Sequence, residues 1–185
     1  MAQDITIIFL YVDDLLVTGN SIENPSKFKE LMKSEFEMSN MGNLSYFLNN
    51  EFQRTKNGIV LRQMKYVKEI LKRFRMVDSN PRSSPIEPNI KLEKHRDEDK
   101  VDITLFKKIV GSLRYLCNRR SDIGFSVRLV IKYMDEPRVS HMKVARRILR
   151  HLKGSLNCGF LFPKEFEGKE AVINCYSIRF LWKRR

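Results

Sequence analysis

Residues 5–20 read ITIIFLYVDDLLVTGN, with two apolar runs on either side of a pair of adjacent aspartates. Both runs consist mostly of residues that favour strands, and Gly19-Asn20 closes the second run with a turn signal. The pattern predicts a packed β-hairpin that carries Asp13 and Asp14 at its tip. Two neighbouring carboxylates repel each other unless a cation neutralises them, and oxygen ligands suit Mg²⁺. The alternative is an Asp-Asp turn without chemistry, because aspartate is common in turns.

The residues after this hairpin predict an α+β domain. Residues 25–35 place apolar side chains at helical spacing, and residues 38–42 are expected to break that helix. Residues 44–53 and 59–62 are predicted to be strands on either side of an Asn-Gly turn, and residues 64–74 a second helix. The order strand, strand, helix, strand, strand, helix indicates an antiparallel sheet with helices.

The second half of the chain predicts a basic helical bundle. Residues 78–102 contain three prolines and many charges, so we expect a linker there. Residues 103–154 have helical periodicity throughout and predict three helices, the third capped by Ser140. This window contains 13 Lys and Arg residues but only 3 acidic ones, in a chain whose formal net charge is +13. A solvated helix face explains scattered charges but not this excess, which indicates a polyanionic partner, with nucleic acid first.

Several classes of protein do not fit the composition. No apolar run approaches the ~20 residues that span a bilayer, and no secretory signal pattern opens the chain, so we expect no membrane partner. The cysteines and histidines have neither disulfide nor metal-ligand spacing and are interpreted as structural or surface residues: Cys117, Cys158, Cys175, His95, His141 and His151. A reducing compartment, cytoplasm or nucleus, is therefore expected.

The box YVDD at residues 11–14 resembles the Tyr-x-Asp-Asp box of reverse transcriptases, in the form typical of copia-type LTR retrotransposons. Further motifs resemble the same family and follow in its order. They are LSYFL at 44–48 with Glu51-Phe52, QMKYVKEIL at 63–71, VGSLRYL at 110–116, Asp122-Ile123, and RHLKG at 150–154. The resemblance covers residues 5–176 and identifies the chain as similar to the second half of an RNA-directed DNA polymerase within a Pol polyprotein.

The resemblance implies a partial polymerase palm, an antiparallel sheet with helices, followed by an all-α thumb-like bundle. Residues 1–77 would form the partial palm with the YVDD hairpin and a primer-grip-like hairpin, and residues 78–102 the linker. Residues 103–154 would form the basic thumb-like bundle, and residues 155–185 connection-like strands with an aberrant C-terminus. The implied partners are an RNA or DNA template–primer, dNTP in the intact parent, and the other parts of the parent polyprotein.

The family also implies roles for particular residues. Asp13 and Asp14 would be catalytic and would ligate Mg²⁺ in a two-metal nucleotidyl transfer, and Tyr11 and Val12 would pack beside the primer end. The primer-grip-like residues would be Phe47, Leu48, Glu51 and Phe52. The residues that would contact the nucleic-acid backbone are Lys107, Lys108, Arg114, Arg119, Arg120, Arg128, Lys143, Arg146, Arg147, Arg150 and Lys153.

The chain also departs from the family pattern. The third catalytic aspartate of the family lies on an upstream strand, and the only acid before Tyr11 here is Asp4. In one continuous strand Asp4 would be roughly 30 Å from Asp13, too far for a site whose metals lie ~4 Å apart. Asn49-Asn50 stands where the family has Gly-Ile and is expected to weaken its strand. Residues 178–185 are basic and aromatic where the family opens an acidic ribonuclease H domain, which suggests a frameshift and truncation.

Three hypotheses follow. The first is a reverse transcriptase fragment that lacks the fingers and one catalytic aspartate, and that we expect to be inactive alone. The second is a catalytically dead remnant that binds nucleic acid through residues 103–154. The third is an unrelated basic module that binds a protein partner, and the ordered motifs argue against it.

Overall fold

The computed structural model describes residues 5–12, 14–21, 23–93, 97–163, 165–166, 169–170 and 174–184. The chain divides into two compact units. The sheet unit comprises Met1–Leu61 with Leu161–Arg185, and the helical unit comprises Arg62–Phe160. Five helices and two four-stranded sheets within these ranges make the protein α+β, as the sequence predicts. None of the helices in the described part of the chain has the length and apolarity that a membrane span requires.

The first sheet is built on the predicted acidic hairpin. Strands β1 (Thr6–Tyr11) and β2 (Asp14–Gly19) pair antiparallel and are followed by helix α1 (Glu23–Glu35), which confirms the hairpin and the helix. The helix ends at Glu35, before the expected break at 38–42, and strand β3 (Phe36–Asn43), which the sequence did not predict, follows it directly. This segment pairs with the distant strand β10 (Asn174–Arg184), and such pairing overrides weak local strand propensity.

The strand order of the first sheet is β1-β2-β10-β3. Strand β10 lies within residues 155–185, where connection-like strands are expected, and residues 171–173 before it lie outside the described part. The core of this sheet is small. Leu15 and Val17 are buried on one face of β2, and Phe28 and Met38 pack against them.

The second sheet has the order β4-β5-β6-β7, and its strands are β4 (Tyr46–Phe47), β5 (Asn50–Thr55), β6 (Gly58–Arg62) and β7 (Phe160–Pro163). The predicted hairpin around Asn57-Gly58 is confirmed. The single strand expected at 44–53 is wrong, because a tight turn divides it after Phe47. Two further short strands, β8 (Glu165–Phe166) and β9 (Lys169–Glu170), pair with each other.

The helical unit contains the three helices predicted for 103–154. Helices α2 (Met64–Arg73), α3 (Ile103–Cys117), α4 (Ser121–Ile131) and α5 (Val139–Gly154) share one apolar core. Phe106, Leu113 and Leu149 are completely buried in it. The prediction of Ser140 as a cap is wrong. Helix α5 starts one residue earlier, at Val139, and the backbone N–H of Arg138 donates to Nδ1 of His141.

The segment 78–102, expected to be a linker, lies along α5 in its described part. The Arg82 N–H donates to the carbonyl of Arg150, and the Lys153 ammonium donates to the carbonyl of Ser79 at 2.7 Å. Gly154 permits this approach, because a Cβ there would lie 3.2 Å from the Cβ of Pro81. The strap, as we call residues 79–93, therefore packs with α5 within the helical unit.

Candidate functional site

In the described part of the acidic hairpin, the carboxylate of Asp14 lies where β2 begins. Tyr11 pairs with Asp14, and Val12 has a φ of 53°. A β-branched residue in the left-handed region is strained, and such strain is common at functional sites. Val12 is 75% exposed, Tyr11 is exposed and Asp14 is half-buried. The other predicted carboxylate, Asp13, lies outside the described residues.

The donor chemistry of this hairpin fits a hard divalent cation, because a carboxylate oxygen is the ligand that Mg²⁺ prefers. Within the described ranges no group of three or more His, Cys, Asp or Glu side chains is arranged to hold a metal. Asp14 therefore has the type of donor atom that Mg²⁺ prefers, but the described residues do not supply a complete set of metal ligands. On its other edge β2 pairs with β10, which places Arg179 at the register position opposite Asp14.

The predicted primer-grip-like segment forms a tight turn. Leu48 and Asn49 have φ values of 48° and 60°, and asparagine tolerates this region better than most residues. The Asn50 side-chain amide donates to the carbonyls of Phe47 and Leu48 at 3.1 and 3.0 Å. The strand expected at 44–53 is interrupted at this turn, where Asn49-Asn50 was expected to weaken it.

The side chains on either side of this turn form two groups, one buried and one partly exposed to solvent. The Phe47 side chain is buried, and its ring meets that of Phe9 edge-on with the ring centroids 6.0 Å apart. Glu51 and Phe52 are half-buried at the start of β5, and the N–H of Phe52 donates to the carbonyl of Ser45. Phe47 thus serves the packing of the sheet unit, whereas Glu51 and Phe52 keep part of their surface in solvent.

The eleven basic residues proposed for backbone contact occupy three kinds of environment in the helical unit. Arg147, Arg150 and Lys153 are partly buried beside the strap, and Arg120 is buried. The remaining seven are exposed to solvent on α3, α4, α5 and the α3–α4 turn: Lys107, Lys108, Arg114, Arg119, Arg128, Lys143 and Arg146. These seven have the exposure that contact with a large polyanion requires.

Arg120 is committed to an internal network. Its guanidinium donates to both carboxylate oxygens of Asp122 at 2.9 and 2.7 Å, and to the carbonyl and hydroxyl of Ser155 at 3.1 and 2.6 Å. Nε2 of His151 lies 3.0 Å from Asp122. Burial would raise the pKa of the Asp122 carboxyl, but hydrogen bonds and charges from Arg120 and His151 outweigh it and lower the pKa to about 2. The network joins the start of α4 to the end of α5.

His141 has a structural role, as its spacing in the sequence indicated. Its ring is buried and stacks on Tyr133 with the centroids 3.9 Å apart. Nδ1 accepts from the Arg138 N–H, Nε2 lies 3.2 Å from the carbonyl of Glu93, and burial lowers the pKa of the imidazole. His95 lies outside the described residues. Sequence reasoning gave no role to Glu87, which pairs with Arg147, because nothing in a proline-rich segment marks one acid for this contact.

The fold and these two sites define a class of protein. An antiparallel sheet carries a carboxylate at a strained hairpin, and a separate helical unit with an apolar core exposes seven of the eleven predicted basic residues. This combination is suited to a protein that handles a polyanion together with a divalent cation.

Comparisons with known proteins identify the class more closely. Residues 2–88 match the family described as reverse transcriptase (RNA-dependent DNA polymerase). The chain is 32% identical over 95% of its length to the retrovirus-related Pol polyprotein from transposon RE1 of Arabidopsis thaliana. It is 30% identical over 92% of its length to the corresponding polyprotein from transposon TNT 1-94 of Nicotiana tabacum. An uncharacterised mitochondrial protein of Arabidopsis thaliana is 34% identical over 85% of this chain and 65% of its own length.

The chain belongs to the reverse transcriptase family of copia-type retrotransposon Pol polyproteins. It spans 12% of the length of the RE1 polyprotein and 13% of that of TNT 1-94. No solved structure is significantly similar to it. The family resemblance expected from the YVDD box and the motifs after it is therefore confirmed.

Proposed function

We propose that this chain contributes the lower palm and the thumb of an RNA-directed DNA polymerase. In this proposal the helical unit binds the sugar–phosphate backbone of the template–primer duplex. The observation that carries it is the exposure of seven of the predicted backbone-contact cations on a unit whose apolar residues form one buried core. Cations of a backbone-binding surface have to reach phosphates from solvent, and they release counterions when they do so. Arg120 is left out of the proposed surface, because Asp122 and Ser155 already occupy its guanidinium.

The hairpin is proposed to supply the carboxylates of a divalent-metal site. Asp13 and Asp14 would hold Mg²⁺, which supplies activation of the primer 3′-hydroxyl and stabilisation of the pyrophosphate leaving group. Tyr11 and Val12, both exposed beside Asp14, would pack against the primer end. Glu51 and Phe52 would contact the primer strand from β5, and the turn at Leu48 and Phe47 would hold β5 in position.

The experiment that tests duplex binding compares two variants with three charges removed. The first carries Lys107→Gln, Lys108→Gln and Arg114→Gln on α3. The control carries Lys68→Gln, Lys72→Gln and Arg73→Gln on α2, which removes the same charge from exposed positions outside the proposed surface. Fluorescence anisotropy with a labelled RNA–DNA hybrid should show about a tenfold or greater loss of affinity for the α3 variant. The α2 variant should lose much less.

Equal losses in both variants would mean that net charge alone attracts the duplex, and would contradict the assignment of a surface. The hairpin is tested in the same samples by Mn²⁺, which broadens NMR signals of residues near its site. We expect broadening centred on residues 11–15, and we expect the double substitution Asp13→Asn with Asp14→Asn to abolish it. Broadening elsewhere would contradict the metal assignment without affecting the assignment of the duplex.

A further inference from the structure

A groove in the helical unit runs between α5 and the strap. It has a volume of about 250 Å³, enough for a phosphate group with part of the sugar that carries it. The charged and hydroxyl side chains that line it are those of Glu87, Lys91, Ser140, Lys143, Arg147 and Arg150. Four cations thus face one carboxylate in a confined space, so the groove has an excess of positive charge.

Glu87, the single acid among the described residues that line the groove, already contacts one of its cations. Glu87 Oε1 accepts from Nη1 of Arg147 at 2.5 Å, and Nη2 of Arg147 donates to Ser84 Oγ at 3.2 Å. The Glu87 side chain is 60% exposed while that of Arg147 is 15% exposed, so the acid can leave toward solvent but the guanidinium is held in the wall. An exposed carboxylate in such a pair contributes little to stability and can be exchanged for another anion.

The walls of the groove also contain donors without a protein acceptor. Nε of Arg147, Nε of Arg150 and Oγ of Ser140 are shielded from solvent and have no hydrogen-bond partner among the residues that the structure describes. Unpaired buried donors cost free energy, so these side chains gain if a small shift toward the groove brings them an acceptor. A phosphate has several acceptor oxygens and matches the fork of a guanidinium better than a carboxylate that reaches only one nitrogen.

We propose that this groove binds one phosphate group of the nucleic-acid backbone, and that Glu87 occupies Arg147 until the phosphate displaces it. The proposal rests on the function proposed above and adds a defined subsite to it. Lys91 and Lys143, both exposed at the groove, attract the phosphate. Arg147 and Arg150 receive it, and the released Glu87 carboxylate returns to solvent.

The test uses two substitutions with opposite expected effects and one control. Lys143→Gln removes a cation of the groove, Glu87→Gln removes the competing acid, and Lys132→Gln removes an exposed cation elsewhere in the helical unit. In anisotropy titrations with an RNA–DNA hybrid, Lys143→Gln should weaken binding about threefold to tenfold. Glu87→Gln should strengthen it about twofold or more, and Lys132→Gln should change it by less than either.

Inorganic pyrophosphate serves as the second probe. Its binding is monitored through shifts of the amide NMR signals of residues 87–92 and 140–150. Pyrophosphate should shift these signals, and the shifts should become smaller in Lys143→Gln and larger in Glu87→Gln. That result supports the groove as a phosphate site even if no variant binds the duplex. If the duplex binds but Glu87→Gln does not strengthen binding relative to Lys132→Gln, the groove proposal is overturned and the proposed function stands. Absence of pyrophosphate shifts in the groove of the unsubstituted chain would also overturn it.

Discussion

At the scale of single residues, the fold decides which charges are available to a partner. Arg119 and Arg120 are adjacent and chemically identical, yet Arg119 is exposed and Arg120 is buried against Asp122 and Ser155. The sequence predicts that residues 103–154 are basic, but it does not reveal that the guanidinium of Arg120 contacts Ser155 at the end of α5. In the sequence, Asp122 is part of one family motif and its partner His151 part of another, and nothing there indicates that the two side chains meet.

The Asp122 network predicts a particular acid sensitivity. The pKa of Asp122 is lowered from 3.8 to about 2 in the folded state. Its contribution to stability is therefore full above pH 4 and is lost as the pH falls toward 2, because the unfolded chain binds the proton first. Since the carboxylate is 40% exposed, solvent screening limits the loss in unfolding free energy to about 1 kcal/mol.

The measurement is urea unfolding followed by circular dichroism at pH 7, pH 4 and pH 2.5. Asp122→Asn should lower the unfolding free energy at pH 7 by about 2 kcal/mol, because it leaves the buried Arg120 without its counter-charge. The variant should also lose the part of the acid sensitivity that Asp122 supplies. Asp135→Asn, an exposed acid on the same unit, is the control. Equal behaviour of the two variants would contradict the role of the network.

At the scale of elements, strong local sequence patterns were sufficient to predict strands and helices, and weak patterns were not. The hairpin of β1 and β2 and the helices α3, α4 and α5 follow from apolar periodicity, and each was predicted. Strand β3 was missed because its residues, FEMSNMGN, have no alternation, and only pairing with β10 makes them a strand. The turn at Asn49 was missed because the asparagine pair was interpreted as a defect in a continuous strand.

Strand β1 predicts a tendency to self-associate. It lies at the end of its sheet in the described strand order, and every residue from Ile7 to Tyr11 is exposed. An exposed apolar edge strand is a template for pairing with a second chain. Ile8→Lys should reduce concentration-dependent association in analytical ultracentrifugation while the circular dichroism spectrum is preserved. Val17→Lys, at a fully buried site of β2, should instead unfold the sheet unit.

An unchanged association constant in Ile8→Lys would show that β1 is not the associating edge. The comparison is informative because both substitutions add the same charge to neighbouring strands of one hairpin. They differ in burial, so the fold predicts opposite results for them.

At the scale of the whole molecule, composition indicated the class of partner, and long-range packing determined the architecture. The net charge of +13 and its concentration in residues 103–154 are properties of sequence alone. The position of β10 between β2 and β3 joins segments from opposite ends of the chain, and no local pattern predicts it. The strap along α5 and the joining of α2 to the helical core likewise depend on tertiary contacts.

The salt dependence of duplex binding tests the central claim most directly. The dissociation constant of an RNA–DNA hybrid, measured by anisotropy between 50 and 200 mM KCl, should rise by several thousandfold if the seven exposed cations of the proposed surface each contact a phosphate. The logarithm of affinity should fall linearly with the logarithm of salt concentration. Binding that is absent at 50 mM KCl, or a dissociation constant that does not change across the range, would contradict a backbone-binding helical unit.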